Sequence, residues 1–266
     1  MLGAIIGDIA GSIYEFGGVK TKDFPLFTRS SQPTDDSIMT VAVGCACVDA
    51  DLYDEESFKR ILIKRMKELG RLYPYAGYGG MFYKWIMGSQ SEPYNSYGNG
   101  SAMRVSPVAW AADSLEEAEK LAKWSAEVTH NHPEGIKGAQ ATAAAVYLAR
   151  TGKSKEEIRE YITANYYSLD FTLDQIRPDY EFDVTCQGSV PPAIECFLEA
   201  EDYEDAIRNA ISLGGDSDTL AAITGGIAEA YFGIDETVIE EARDYIDDEL
   251  TEYCDHYMDE LYAKGF

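Results

Sequence analysis

The sequence is poor in positive charge. Its 266 residues include 22 Lys and Arg against 47 Asp and Glu, which gives a formal net charge of −25. A surface of that charge repels phosphate backbones, so general nucleic-acid binding is not expected. The same charge makes an anionic ligand hard to hold unless a metal ion or a helix N-terminus supplies local positive potential.

Residues that bind zinc are scarce as well. The chain has three histidines and five cysteines, and the cysteines form no C-x-x-C pair. Cys45 and Cys47 lie in an apolar helical pattern, which is typical of buried free thiols. A Cys/His zinc site is therefore not expected.

Long hydrophobic runs are missing. No window reaches the roughly 18 uninterrupted apolar residues that a membrane span needs. The N-terminal apolar stretch lacks the basic region of a signal peptide and is interrupted by Asp8. We therefore expect a cytoplasmic protein with no membrane association.

Strand-type alternation is almost absent, whereas helical periodicity covers most of the chain. Residues 54–73 form an amphipathic pattern with Arg65 as its one polar exception, and one long final helix is expected from about Asp235 to Ala263. Segments 3–16, 136–149 and 219–233 are rich in Gly and Ala, and we expect them to form an inner layer. Because no linker or repeat is visible, the sequence predicts one all-α domain over residues 1–266.

Acidic residues stand in pairs just before two of the apolar helices. One carboxylate is usually a helix cap, but two acids and a hydroxyl at each of two sites exceed what capping needs. A cation would cancel the repulsion between neighbouring buried carboxylates, and oxygen ligands suit Mg²⁺, Mn²⁺ or Ca²⁺. The residues are Thr34, Asp35 and Asp36 at the first site and Asp216, Asp218 and Thr219 at the second.

A glycine-rich turn, SYGNGSAMRVSP, is a third candidate. Gly98 and Gly100 would let the backbone approach and cradle an anion, although Asn-Gly is also an ordinary turn signal. Tyr94 and Tyr97 beside it are suited to stacking on a base. Arg104 is one of few basic residues in an apolar stretch and could simply pair with a buried acid.

The histidine pair His130 and His132 and the acid Glu15 are further candidates, although their patterns are less specific. His130 and His132 precede a Pro-Glu-Gly turn, where histidines act as ligands or acid–base groups, or more often end one helix and orient the next. Glu15 closes the first small-residue helix and could be a solvent-facing helix end. A loop of about 20 residues joins it to Thr34 and could serve as a lid.

Taken together, these motifs resemble the ADP-ribosylglycohydrolase family, which includes the glycohydrolases that reactivate ADP-ribosylated nitrogenase reductase. The matching stretches are, in the family's order, GDIAGSIYE, TDDS, YGNGSAMRVSP, THNHPEG and GGDSDTLAAITGGIAEAYFG. The resemblance covers nearly the whole chain. It implies a compact all-α orthogonal bundle and two Mg²⁺ ions, with Mn²⁺ as a substitute, bound by the two acidic sites.

The resemblance also implies roles for individual residues. In this family the ions engage the ribose distal to adenine and position a water for attack. Glu15 and Asp36 are candidates for handling the proton or the leaving group. The substrate would be held at the diphosphate by Ser96, Gly98, Asn99 and Gly100, at adenine by Tyr97, with Tyr94 as a second aromatic, and near the phosphates or distal ribose by His130.

Three functions are therefore compared. The first is a Mg²⁺-dependent hydrolase, expected as a monomer, acting on an ADP-ribosylated protein, with arginine as the first linkage and serine, poly(ADP-ribose) or small ADP-ribose compounds as alternatives. The second is a relative that binds ADP-ribose without turnover. The third is a serine hydrolase with Ser217 of GGDSD as nucleophile, which lacks a suitable late histidine because His256 lies on the outer C-terminal helix.

Overall fold

The computed structural model describes residues 1–264, and all of its regular elements are helices. Within that range no strand is present, and one isolated bridge joins Gly98 to Thr185. The all-α prediction is therefore confirmed. The helices are α1 Leu2–Gly11, α2 Asp35–Asp49, α3 Glu55–Leu72, α4 Gly80–Met87, α5 Gly100–Met103, α6 Ser106–Ala111, α7 Leu115–Glu127, α8 Pro133–Arg150, α9 Lys155–Asn165, α10 Leu173–Ile176, α11 Cys186–Leu198, α12 Tyr203–Ser212, α13 Ser217–Phe232, α14 Glu236–Arg243 and α15 Asp248–Lys264.

Helices α1 and α13 pack so closely that their backbones touch. A Cβ atom placed on Gly3 would lie 2.4 Å from Gly225 O, and one on Gly7 would lie 2.1 Å from Ala221 O. These glycines are four residues apart, so they occupy one face of α1. Only glycine fits at such a contact, which explains the composition of both segments.

The contacts fix the relative direction of α1 and α13. Residue 3 meets residue 225, residue 7 meets 221, and a Cβ on Gly11 would lie 2.5 Å from the Cα of Asp218. The two helices are therefore antiparallel, and the C-terminal end of α1 meets the N-terminal end of α13. This arrangement brings the turn that carries Glu15 beside the second acidic site.

The third small-residue helix, α8, completes the inner layer. It packs against α13, α11 and α7, and Gly138 lies against Cys186 at the start of α11. Most of its residues from Gly135 to Ala149 are buried. The predicted inner layer of three Gly/Ala helices is thus present, with amphipathic helices such as α3 and α12 packed around it.

The polar exception on α3 has a structural explanation. Arg65 Nε donates to Asp49 Oδ2 (2.8 Å) at the end of α2, and its guanidinium also donates to Tyr257 Oη (3.1 Å) on α15. The side chain therefore ties three helices together at the edge of the core.

Two boundaries predicted from the sequence are wrong. The final helix is divided into α14 and α15, because Asp247 Oδ1 accepts a hydrogen bond from Leu250 N (2.8 Å) and so caps a new helix start. The first helix ends at Gly11, and Glu15 lies in the turn that follows. Of the helices described, none is long and apolar enough to cross a membrane.

Candidate active site

A cleft of about 1090 Å³ opens where α1, α2 and α13 meet, which is at the upper end of the size range for ligand sites. The site residues that the family resemblance implies all line it. The structure thereby brings together five segments that are separated in the chain. They are Glu15, Thr34, Asp35, Asp36, Ser96, Tyr97, Gly98, Asn99, Gly100, His130, Asp216, Asp218 and Thr219.

Carboxylates from three helices converge beside the cleft. Asp8, Asp36 and Asp218 each place an oxygen within 4.8 Å of the others, and Glu15, Asp216 and Asp218 form a second group by the same measure. Asp218 belongs to both groups. The two acidic sites of the sequence therefore meet in space, with α1 contributing a third set of ligand atoms.

Asp36 carries a buried carboxylate oxygen whose bonding capacity is unused among the described residues. The residue is 2% exposed, and its Oδ2 accepts a weak hydrogen bond from Thr219 Oγ1 (3.3 Å). Its Oδ1 is buried without a hydrogen-bond partner in the described part of the chain. A buried carboxylate oxygen left unsatisfied is costly, and a hard divalent cation is the partner its chemistry suits.

Asp8 was missed as a site residue. It is fully buried on α1, where it accepts hydrogen bonds from Thr34 N (2.8 Å), Thr34 Oγ1 (2.6 Å) and Ser37 N (3.0 Å), and a further one from the Ser37 hydroxyl. These donors lie in the first turn of α2. Asp8 thus caps α2 from a neighbouring helix and places Asp36 at the cleft. The sequence signal was a lone acid within a Gly/Ala/Ile helix.

The remaining predicted metal residues occupy different positions around these groups. Asp35 lines the cleft but belongs to neither group; its N–H donates to Ala76 O (2.7 Å), and its carboxylate lies near Gly77. The hydroxyl of Thr34 donates to Asp8. Asp216 Oδ2 accepts from Asn99 Nδ2 (2.7 Å).

Crowding and burial raise the pKa values of the acids in the cleft. Burial, followed by repulsion from neighbouring carboxylates, raises the pKa of Glu15 to about 7 and that of Asp35 to about 8. Burial outweighs four hydrogen bonds and raises the pKa of Asp8 to about 6. The pKa values of Asp36 and Asp218 lie well above the ordinary range for the same two reasons.

The metal-free protein is expected to lose stability as the pH rises from about 5 to about 8. Unfolded carboxyls ionise near pH 4, whereas folded Asp8, Glu15 and Asp35 keep their protons up to about pH 6, 7 and 8. Between those limits the folded state binds more protons, so raising the pH favours unfolding. Thermal unfolding in EDTA measures this, and a melting temperature that rises over the range would contradict it.

Added Mg²⁺ provides the matching comparison. At about 100 times its Kd, a ligand that binds only the folded state should raise the melting temperature by about 5–10 °C. The increase should be larger at pH 8 than at pH 5, because carboxylates must lose their protons to bind metal.

The glycine turn faces the cleft beside the acids. Asn99 N donates to Val184 O (2.8 Å), and Asn99 Nδ2 bonds both Ser189 Oγ (2.9 Å) and Asp216 Oδ2 (2.7 Å). A Cβ on Gly100 would lie 3.2 Å from His130 Nε2. The turn is therefore fastened to an acid of the cluster, and its glycines keep open the space in front of His130.

The two histidines have different roles. His130 is 5% exposed and faces the glycine turn, and its Nδ1 contacts Thr129 Oγ1 (2.7 Å). His132 is the N-cap of α8, where Nδ1 accepts from Glu134 N (3.1 Å). Pairing with a buried acid was one interpretation of Arg104; in the structure its Nη2 donates to Ser125 O (3.2 Å) and Thr129 Oγ1 (2.9 Å).

Aromatic rings surround the mouth of the cleft. Tyr97 is half-exposed and packs at a tilt against His132, with ring centroids 5.2 Å apart, and Tyr94 lies 6.0 Å from the His130 ring. Phe16 and Phe182 stack at 6.3 Å while both remain exposed. These two phenylalanines were missed, since both lie in irregular segments without a recognisable motif.

Ser217 is placed where it cannot act as a nucleophile on a ligand in the cleft. Its side chain is fully buried, its hydroxyl donates to Gly11 O (3.2 Å), and it is not among the residues that line the cleft. The hydroxyl joins α13 to α1. The geometry therefore gives the serine-hydrolase hypothesis no support.

Comparisons of the sequence with known proteins agree on one family. A family model described as ADP-ribosylglycohydrolase matches residues 1–265. The ADP-ribosylhydrolase ARH3 of Homo sapiens is 27% identical over 89% of this chain and 85% of its own length. The ADP-ribosylarginine hydrolase Tri1 of Pseudomonas putida (strain GB-1) is 26% identical over 88% of this chain and 70% of its own.

A solved structure shows the same fold. One chain of an ADP-ribosylglycohydrolase-related protein complex superposes with a TM-score of 0.69 at 21% identity. The match covers 100% of this chain and 97% of that one. The helical bundle described above is therefore the fold of that chain.

Proposed function

Because the chain belongs to the ADP-ribosylglycohydrolase family, we propose that it is a metal-dependent hydrolase that removes ADP-ribose from modified protein side chains. The observation that carries this proposal is that two clusters of three acidic residues share Asp218, and that one of them contains Asp36, whose Oδ1 has no hydrogen-bond partner among the described residues. A cation held there would bind the hydroxyl groups of a sugar, in a cleft large enough for a dinucleotide-sized ligand.

We propose that these residues hold a pair of Mg²⁺ ions, with Mn²⁺ as the substitute. Asp36, Asp216 and Asp218 would supply carboxylate oxygens and Thr219 a hydroxyl, all of them hard ligands. Thr34 and Asp35 complete the predicted ligand set. When bound, such ions supply Lewis-acid polarisation and a water of lowered pKa.

The protein's own groups would handle the proton and the charge. Glu15 places a carboxylate oxygen within 4.8 Å of oxygens of Asp216 and Asp218. A carboxyl group in this position can take a proton from the attacking water or give one to the leaving group. Surrounding carboxylates favour the positive charge that develops on the sugar in an oxocarbenium-like transition state.

The rest of the cleft would bind ADP-ribose away from the bond that breaks. The turn that contains Ser96, Gly98, Asn99 and Gly100 would hold the diphosphate, with His130 beside it. Tyr97, half-exposed at the mouth, would stack on adenine, with Tyr94 as a second aromatic. The assignment is supported by the hydrogen bond from Asn99 to Asp216 of the acidic cluster and by the exposure of Tyr97.

ADP-ribosyl-arginine is the first linkage we propose. It is supported by the relative named as an ADP-ribosylarginine hydrolase, which matches over 88% of this chain. Serine-linked ADP-ribose, poly(ADP-ribose) and small ADP-ribose derivatives are the alternatives, and a relative that binds ADP-ribose without turnover is the non-catalytic one. A monomeric state and a cytoplasmic location stay predictions from the sequence.

Release of ADP-ribose from defined substrates tests the proposal. The purified protein is incubated with arginine-linked, serine-linked and polymeric ADP-ribose, with Mg²⁺, with EDTA, and with EDTA followed by excess Mg²⁺. We expect release that EDTA stops and Mg²⁺ restores. Activity that survives complete metal removal would rule out the mechanism, and tight binding of ADP-ribose without cleavage of any linkage would favour the non-catalytic alternative.

Ser217→Ala is expected to keep the activity within about threefold of the wild type. Loss of its one hydrogen bond should lower the stability of the fold by roughly 1 kcal/mol without affecting the rate of hydrolysis. The hydroxyl is buried against Gly11 O and does not reach the cleft. Hydrolysis rates and thermal unfolding are measured side by side. A folded variant without activity would return the serine to the list of candidate nucleophiles.

A further inference from the structure

Arg104 is a fully buried cation that has no acidic hydrogen-bond partner among the residues the structure describes. It lines the cleft at 0% exposure, and its Nη2 donates to Ser125 O and Thr129 Oγ1. The ring of Phe82 lies 5.7 Å from the guanidinium. Burying an arginine in this way is costly, so a function other than ion pairing should account for it.

The hydroxyl of Thr129 links Arg104 to His130. Thr129 is fully buried, and among the described residues its Oγ1 contacts Arg104 Nη2 (2.9 Å) and His130 Nδ1 (2.7 Å). Arginine can only donate, so Thr129 Oγ1 accepts that bond. The hydroxyl hydrogen then has one acceptor within reach, which is Nδ1 of His130.

This direction of bonding determines which nitrogen of His130 carries the hydrogen. If Nδ1 accepts from Thr129, the neutral ring must be protonated at Nε2. A ring protonated at Nδ1 would place two donors on the Thr129 oxygen and leave its hydroxyl hydrogen without an acceptor. Burial and the nearby positive charge of Arg104 also hold the pKa of His130 well below its usual range.

The hydrogen at Nε2 faces the glycine turn. Nε2 is the atom nearest to a Cβ placed on Gly100 (3.2 Å), and it lies 3.6 Å from one placed on Gly98. In the described part of the chain, Nε2 has no hydrogen-bond partner. The donor is therefore available to whatever occupies the space above the turn.

We propose that Arg104 and Thr129 are positioning residues that fix His130 as the neutral Nε2–H tautomer, so that it donates a hydrogen bond to the diphosphate of a ligand held at Gly98 and Gly100. The identity of the ligand rests on the proposed function, whereas the tautomer does not. In a chain of net charge −25, a fixed neutral donor lets an anion bind without a proton being taken up from solvent.

Nitrogen-15 NMR of the histidine side chains tests the tautomer in the ligand-free protein. With three histidines in the chain, assignment needs only His132→Gln and His256→Gln variants. We expect Nε2 of His130 to be of the protonated type and Nδ1 of the unprotonated type. Thr129→Val should give a mixture of tautomers, and Thr129→Ser should restore the wild-type pattern.

Thr142→Val is the matched control. Thr142 is buried on α8, like Thr129 it is a threonine in the core, and its hydroxyl has no hydrogen-bond partner in the described residues. Its substitution should leave the spectrum of His130 unchanged. Because Arg104 is fully buried and its removal endangers folding, the test relies on Thr129.

Calorimetry with ADP-ribose tests the consequence for binding. Thr129→Val should weaken the affinity about tenfold, the size of one well-placed hydrogen bond, and should raise KM with little change in kcat. Thr129→Ser should recover most of the loss, and Thr142→Val should bind as the wild type does.

The outcomes separate this inference from the proposed function. An unchanged tautomer or unchanged ADP-ribose affinity in Thr129→Val would overturn the inference even if hydrolysis is efficient. A wild type that binds ADP-ribose and shows the expected tautomer, but cleaves no linkage, would support the inference and contradict the proposed function. A wild type that does not bind ADP-ribose would overturn the diphosphate contact together with that function.

Discussion

Asp36→Asn and Asp218→Asn are each expected to lower the rate of ADP-ribose release by about 10³-fold or more, which corresponds to about 4 kcal/mol of transition-state stabilisation. Asparagine keeps the size of the side chain but removes the charge and one anionic ligand oxygen. Asp218 belongs to both carboxylate groups, and Asp36 holds the oxygen without a partner. Either substitution should therefore lower the affinity of the acidic cluster for a divalent cation.

The reason for the loss can be measured separately from the loss itself. Calorimetry with Mg²⁺ and electron paramagnetic resonance with Mn²⁺ should show weaker metal binding in both variants, while the folded state is kept. Asp54→Asn is the matched control, since Asp54 also lies at a helix start, as the N-cap of α3, but is exposed and does not line the cleft. Full activity in Asp36→Asn or Asp218→Asn, with unchanged metal affinity, would remove the basis of the proposed mechanism.

Gly7→Ala is expected to destabilise the protein by about 3 kcal/mol or more, the upper end of the cost of overpacking a core. Alanine normally favours a helix by about 1 kcal/mol over glycine, so the effect has the opposite sign from that expected of an isolated helix. The added Cβ would lie 2.1 Å from Ala221 O, where backbone rather than a flexible side chain would have to move.

Denaturant unfolding measures the loss of stability, and Mg²⁺ titration measures whether the acidic cluster is also displaced. Separating α1 from α13 also moves Asp8 away from Asp218, so Mg²⁺ affinity should fall although no ligand has been changed. Gly17→Ala is the control, because a Cβ at Gly17 meets nothing within 4 Å. If Gly7→Ala were as stable as the wild type, the backbone contact between the helices would not be what holds them in place.

The helical class and the acidic pairs could be predicted from the sequence because both signals are local. Helical periodicity sets the elements, and an acid pair with a hydroxyl before an apolar helix is visible in ten residues. The three Gly/Ala segments indicated the inner layer for the same reason. Their composition indicated that these helices are buried, but it did not indicate which helices are in contact.

Asp8 and Arg104 show why the rest could not be predicted. The role of Asp8 depends on α2 beginning beside the middle of α1, a relation between elements that no single segment contains. The sequence left open that Arg104 pairs with a buried acid, as buried cations usually do, yet its hydrogen-bond partners are a carbonyl and a hydroxyl. The break between α14 and α15 was hidden because the acid that caps α15, Asp247, lies in a segment already crowded with acids.

The antiparallel contact between α1 and α13 has a consequence for how the protein is made. Gly7 and Ala221 touch although 214 residues separate them in the chain. At ribosomal rates of about 5–20 residues per second, the first helix waits about 10–40 s for its partner to be synthesised. During that time its apolar face is exposed on the nascent chain, so the cleft assembles late and the growing polypeptide depends on other segments, or on chaperones, to shield that face.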